Sequence, residues 1–114
     1  MGPVSVALVE DSDELRGMWA EYLAMSGLCV DEYRSVRAVL SAAKESPYDC
    51  VVLDWGLPDG GGEAAILPLR RMGVSRIIVA TGHGAATVPD DYPGVDLVLR
   101  KPFRLRALAE AVSS

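Results

Sequence analysis

In Val51-Val52-Leu53-Asp54-Trp55-Gly56-Leu57-Pro58-Asp59-Gly60-Gly61-Gly62 an apolar, β-branched run ends in one carboxylate, and a proline and glycine loop follows at once. A short run of this kind reads as a strand buried on both faces, as in the middle of a parallel sheet. Asp54 then stands at the strand's carboxyl end, where open α/β sheets place their ligands.

Outward from this stretch, strands and helices alternate. Val4 to Val9 gives a first strand that runs into Glu10-Asp11. Ser12 is placed to cap a first helix, with Asp13 and Glu14 in its first turn, where the dipole favours negative charge. Leu15, Met18, Trp19, Tyr22 and Leu23 form its apolar stripe, and Gly27 stops it. Leu28 to Tyr33 is a more polar strand, as expected near a sheet edge. Ser35 caps a second helix with the stripe Val36, Val39, Leu40 and Ala43, ending before Pro47. After the opening strand, a third helix spans about Glu63 to Met72, with Pro68 expected to kink it or delay its start. Arg76 to Ala80 is the fourth strand, ending at Thr81-Gly82. His83 to Gly94 holds Pro89 and Pro93 with scattered apolar residues, which predicts a loop with at most one helical turn. Val95 to Leu99 is the fifth strand, followed by Lys101-Pro102, and Leu105, Leu108, Ala109 and Val112 mark a last short helix. The alternation implies an α/β fold with a five-stranded parallel sheet, its fourth helix short or replaced by a loop.

The chain has 114 residues, half of them hydrophobic and 24% charged, with a net charge of −5. That length predicts one domain over residues 1–114 with no output domain, and the composition is that of an ordinary globular protein. The acidic balance, without a Lys/Arg stripe, argues against nucleic acid as a partner. No apolar run approaches the ~20 residues of a spanning helix, and no signal peptide is evident. Cys29 and Cys50 lack metal-ligand spacing and are expected to be reduced core thiols of a cytoplasmic protein. Trp19 is expected in the core and Trp55 partly exposed at the site edge.

Four strands finish in polar residues: Glu10-Asp11, Asp54, Thr81 and Lys101. In a parallel sheet these ends share one edge. Three carboxylates meeting there would repel one another unless a cation neutralised them. All-oxygen donors favour a hard ion, and positions left open to water and phosphate suit Mg²⁺. A carboxylate beside that ion stays ionised and can attack phosphorus, giving an aspartyl phosphate. The charge spread over the phosphoryl oxygens could be met by a hydroxyl and an ammonium, which Thr81 and Lys101 supply.

The acidic pair Glu10-Asp11, the run Asp54 to Gly60, Thr81 and Lys101-Pro102, in this order and at these strand ends, resemble a response-regulator receiver domain of two-component signalling. The resemblance spans nearly all of the chain and implies a flavodoxin-like doubly wound (βα)5 fold. It implies that Asp54 is the phosphoacceptor, taking phosphate from a phosphohistidine on a partner histidine kinase or phosphotransfer protein. It further implies that Asp11, Asp54 and the Gly56 backbone carbonyl bind Mg²⁺ directly, with Glu10 acting through water. Lys101 would pair with the phosphoryl group, Thr81 would move toward it, and the peptide before Pro102 would be cis. Output would come through a downstream protein, or the domain would act as a phosphate sink.

Two departures qualify this. Val98 occupies the position of the usual aromatic switch residue, three before the lysine. The helix-poor segment after Ala80-Thr81-Gly82 resembles a subset of single-domain receivers called FATGUY-type, although Val79 and Gly84 stand where that motif has aromatic residues. Gly56 has no side chain to shield Asp54 from water, which predicts a short-lived phosphoryl group. His83, the one histidine, is expected to be a solvated loop imidazole; the alternative places it near the phosphoryl group. Two other functions compete. A Mg²⁺-dependent aspartate-nucleophile phosphohydrolase would need a second aspartate where Gly56 stands. A receiver-like module that binds partners without phosphorylation would fit the Val98 departure.

Overall fold

In the computed structural model, which describes residues 2–57, 62–82, 88–89 and 91–113, the apolar runs become five strands. They are β1 (Ser5–Val9), β2 (Cys29–Tyr33), β3 (Cys50–Asp54), β4 (Arg76–Thr81) and β5 (Leu97–Arg100). Four helices accompany them: α1 (Asp13–Met25), α2 (Val36–Glu45), α3 (Glu63–Arg71) and α4 (Leu105–Ser113). All strand pairs are parallel, in the order β2-β1-β3-β4-β5. This is the flavodoxin-like doubly wound order, whose switch point lies between β1 and β3.

The period-two geometry of the strands divides the core into two. Ala7, Val9, Val51, Leu53, Ile77 and Val79 face α2 and α3. Val6, Leu8, Cys50, Val52, Ile78 and Ala80 face α1 and α4. Both faces of β1, β3 and β4 are therefore covered, which is why their sequences are continuously apolar.

Between β4 and β5 no helix occurs among the described residues. Val88, Tyr92 and Val95 instead lay single side chains onto the core that α2 and α3 also cover. Gly94, at φ +84°, lets that turn approach α3; a Cβ there would come within 2.7 Å of Ile66. Pro58-Asp59-Gly60-Gly61 of the loop expected after Asp54, and His83 and Gly84, lie outside the described residues.

Several expectations hold in detail. The Ser12 hydroxyl accepts from Leu15 N–H, the Ser35 hydroxyl accepts from Ala38 N–H, and Gly27 takes the left-handed conformation after α1. Others need correction. The buried face of α1 is Arg16, Trp19, Ala20 and Leu23, whereas Met18 is exposed. The helix is rotated so that Trp19 and Leu23 remain inward and Met18 does not. α3, by contrast, runs from Glu63 to Arg71, close to the expected span and without a delayed start, and Pro68 lies inside it, its ring nitrogen carrying no hydrogen for the ladder. β5 begins at Leu97, because Val95 still belongs to a turn in which its N–H reaches Tyr92 O at 3.1 Å. Cys50 is buried, but Cys29 is exposed, since it starts the edge strand β2.

Candidate functional site

The parallel register brings the polar strand ends together. Val9 is level with Leu53 and Asp54 with Ala80, so Glu10 and Asp54 each lie one step beyond the last β1–β3 pair or at its rim. Thr81 pairs with Arg100, and Lys101 N–H donates to Thr81 O at 2.7 Å, placing threonine and lysine on adjoining strand ends.

The side chains converge accordingly. Glu10, Asp11 and Asp54 each offer a carboxylate oxygen, and these oxygens lie within 4.8 Å of one another. Glu10 and Asp54 are buried, at 1% and 6% exposure, while Asp11 is open to solvent. Carboxylates seldom sit in a core without a cationic or hydrogen-bonding partner. Lys101 supplies one. Its Nζ is 2.8 Å from Glu10 Oε1 and 3.4 Å from Asp54 Oδ1. Gly56 N–H donates to Asp54 Oδ1 at 3.3 Å, and Ser12 N–H donates to Glu10 Oε2 at 3.4 Å. The Lys101–Pro102 peptide is cis, as the resemblance implied.

The electrostatics show an excess of negative charge. A hydrogen bond with the Glu10 side chain, then desolvation, then the Glu10 charge hold the Asp11 carboxyl above its ordinary value. Burial alone would pull the Lys101 ammonium down. Its hydrogen bond to Glu10 and the charges of Asp54 and Glu10 outweigh this and hold it above its ordinary value. One ammonium thus faces three carboxylates, so a hard divalent cation fits the donor set: oxygen only, closely spaced, with one carboxylate open to water.

Thr81 is buried at the end of β4, and Trp55 is half-buried, with its ring edge-on to Tyr92 at 5.0 Å between centroids. Val98, partly buried and level with Val79, packs on the same core as Trp55 and Tyr92. Two contributors were not evident from the sequence. Trp19 places its ring 5.4 Å from Lys101 Nζ and 5.2 Å from the Phe103 ring, flanking the lysine. Arg16, buried within α1, donates to the main-chain carbonyl of Glu10 at 2.8 Å. Its signal was positional: Arg16 stands three and seven residues before Trp19 and Leu23, on the inward face.

Among the described residues, no helix is long and apolar enough to cross a membrane. A family model, the response regulator receiver domain, matches residues 6–113. The transcriptional regulatory protein TcrA of Mycobacterium tuberculosis (strain ATCC 25618 / H37Rv) is 33% identical over 108 residues, covering 92% of this chain and 43% of TcrA. The KDP operon transcriptional regulatory protein KdpE of Escherichia coli (strain K12) is 33% identical over 107 residues, covering 91% of this chain and 47% of KdpE. The chain therefore spans about half the length of these curated relatives. A solved receiver domain from Methylobacillus flagellatus superposes with a TM-score of 0.86 at 25% identity, covering 98% of both chains. A response regulator receiver protein from Sinorhizobium medicae WSM419 gives 0.82 at 25% identity, covering 97% of this chain and 92% of the other. These matches identify the receiver family as a whole and not its FATGUY-type subset. Sheet order, the clustered strand ends and the family match over residues 6–113 agree: this chain belongs to the response regulator receiver domain family.

Proposed function

We propose that this chain is a phosphorylatable signalling switch in which Asp54 accepts a phosphoryl group from the phosphohistidine of a partner histidine kinase or phosphotransfer protein. Receiver domains as a family bind Mg²⁺ at an acidic pocket and interact with such partners. The single observation that carries the reading here is the Lys101 ammonium, 2.8 Å from Glu10 and 3.4 Å from Asp54, within one carboxylate cluster.

In this reading an Asp54 carboxylate oxygen attacks phosphorus, the P–N bond breaks, and the imidazole nitrogen leaves with the electron pair and takes up a proton. Asp54 needs no base, because it attacks as the anion. Lys101 moves its charge onto the phosphoryl oxygens, and the Thr81 hydroxyl donates to them from the adjoining strand end. Gly56 N–H, already directed at Asp54 Oδ1, orients the nucleophile. Asp11, Asp54 and the Gly56 carbonyl would hold Mg²⁺, with Glu10 acting through water. The ion, when bound, neutralises charge shared between carboxylate and phosphoryl oxygens. Phosphorylation is then read out by a downstream protein, or the domain serves as a phosphate sink.

The test is to add Mg²⁺ and then fluoroberyllate, a phosphoryl mimic, while following tryptophan fluorescence, with Asp54→Asn as control. A change in wild type that the variant lacks is expected. No response, or the same response in both, rejects the phosphoacceptor.

A further inference from the structure

We propose that Arg16 is the positioning residue of the acidic pair: its guanidinium clamps the Glu10–Asp11 peptide and so sets the affinity for Mg²⁺. The proposal rests on the metal-site reading above.

Arg16 occupies a place that disfavours a cation twice. It is buried, and it is the fourth residue of α1, near the positive end of the helix dipole. A charge persists there only where partners compensate it, and three elements supply them. Nη1 donates to Glu10 O at 2.8 Å, Nη2 to Asp13 Oδ1 at 2.7 Å, and Nε to Glu32 Oε1 at 3.2 Å. Each of the three guanidinium nitrogens thus has a partner, and together they restrain the planar fork beside the loop.

The bond to Glu10 O gives the clamp its function. That carbonyl belongs to the peptide unit joining the two acidic residues, and a peptide unit is planar. Holding its oxygen sets the direction in which the chain leaves Glu10 for Asp11, and hence where both carboxylates project. From the other side Glu10 N–H is tied to Tyr33 O at 3.1 Å, so the residue is fixed through both of its backbone polar groups. Groups that orient metal ligands from outside the coordination sphere typically change metal affinity about 10–100-fold.

Arg16→Lys separates geometry from charge, because it keeps the cation and removes the fork. By isothermal titration with MgCl₂ we expect its Kd to rise about tenfold, with the near-ultraviolet circular dichroism of wild type. Arg34→Ala is the control, since Arg34 reaches the same Asp13 carboxylate at 2.8 Å from outside the loop; its Kd should match wild type. Glu32→Gln, at an exposed position, loosens one edge of the fork and should give an intermediate Kd even if Arg16→Lys does not fold. Equal Mg²⁺ affinity in wild type, Arg16→Lys and Glu32→Gln overturns the clamp and leaves the metal site standing, as does weakening by Arg34→Ala equal to that by Glu32→Gln. Absence of Mg²⁺ binding by wild type overturns the metal site, and the clamp with it.

Discussion

Asp96 holds Ile77 through both of the latter's backbone groups: its main-chain N–H donates to Ile77 O and its carboxylate accepts Ile77 N–H, each at 2.8 Å. The side chain thereby takes the place of a strand residue at the start of β5, and Arg70 Nη2 on α3 secures the same carboxylate oxygen at 2.5 Å. Asp96→Ala leaves the Ile77 amide, on a buried strand, without its acceptor. We expect a loss of about 2 kcal/mol in urea unfolding. Asp96→Asn keeps an acceptor oxygen and should lose less.

Gly56 is exposed, and a Cβ on it would meet nothing within 4 Å. A longer side chain is therefore accommodated beside Asp54. If water reaches the phosphoryl group through this opening, Gly56→Asn should lengthen its lifetime several-fold. The wild-type lifetime should fall well short of many hours. Both are read by loading with a radiolabelled small phosphodonor and chasing.

Tyr48 anchors β2 from the far end of the sheet. Its hydroxyl donates to Asp31 Oδ2 at 2.6 Å and lies against the Tyr33 hydroxyl. Burial first, and then the hydrogen bonds to Asp31 and Tyr33, push the Tyr48 phenol well above its ordinary value. A folded-state value raised above the unfolded one contributes stability that is complete below the unfolded value, near ~10, and is lost as pH rises beyond it. Stability should therefore fall above that pH by up to about 1.4 kcal/mol per unit on account of this group. Tyr48→Phe should cost about 1 kcal/mol at neutral pH and flatten the alkaline slope. Denaturant midpoints from about 2 units below to about 1 unit above the unfolded value check both effects.

The two thiols differ in access and in acidity. Cys29 is exposed at the start of β2, whereas Cys50 is buried and burial pushes its thiol up to about 12. Since the thiolate is the reactive form, a disulfide reagent near neutral pH should modify one cysteine in the native protein and both in denaturant. Rapid reaction of both without denaturant would contradict the assigned burial.

The sheet and its site were legible because two-sided burial leaves a strong mark. The continuous apolar runs of β1, β3 and β4 stop at Glu10, Asp54 and Thr81, and parallel pairing alone then gathers those ends. What escaped depends on contacts distant in sequence. Cys29 could be judged exposed only once β2 was known to be an edge. β5 was placed two residues early at its start because Val95 has strand character, while the competing bond from Asp96 to Ile77 cannot be read locally. Arg16 was missed because an arginine beside acidic residues on a helix resembles surface charge; only the rotation of α1 turns it inward.

Among the described residues, the strand order leaves β2 and β5 each with one unpaired flank, an open template for another sheet. β2 carries exposed Asp31 and Glu32 in succession, one toward each face of the sheet, and β5 is four residues long and ends in Arg100. Another copy approaching β2 flank to flank would bring carboxylate against carboxylate. The acidic character of β2, part of which anchors Arg16, thus also works against aggregation of the molecule through its own sheet.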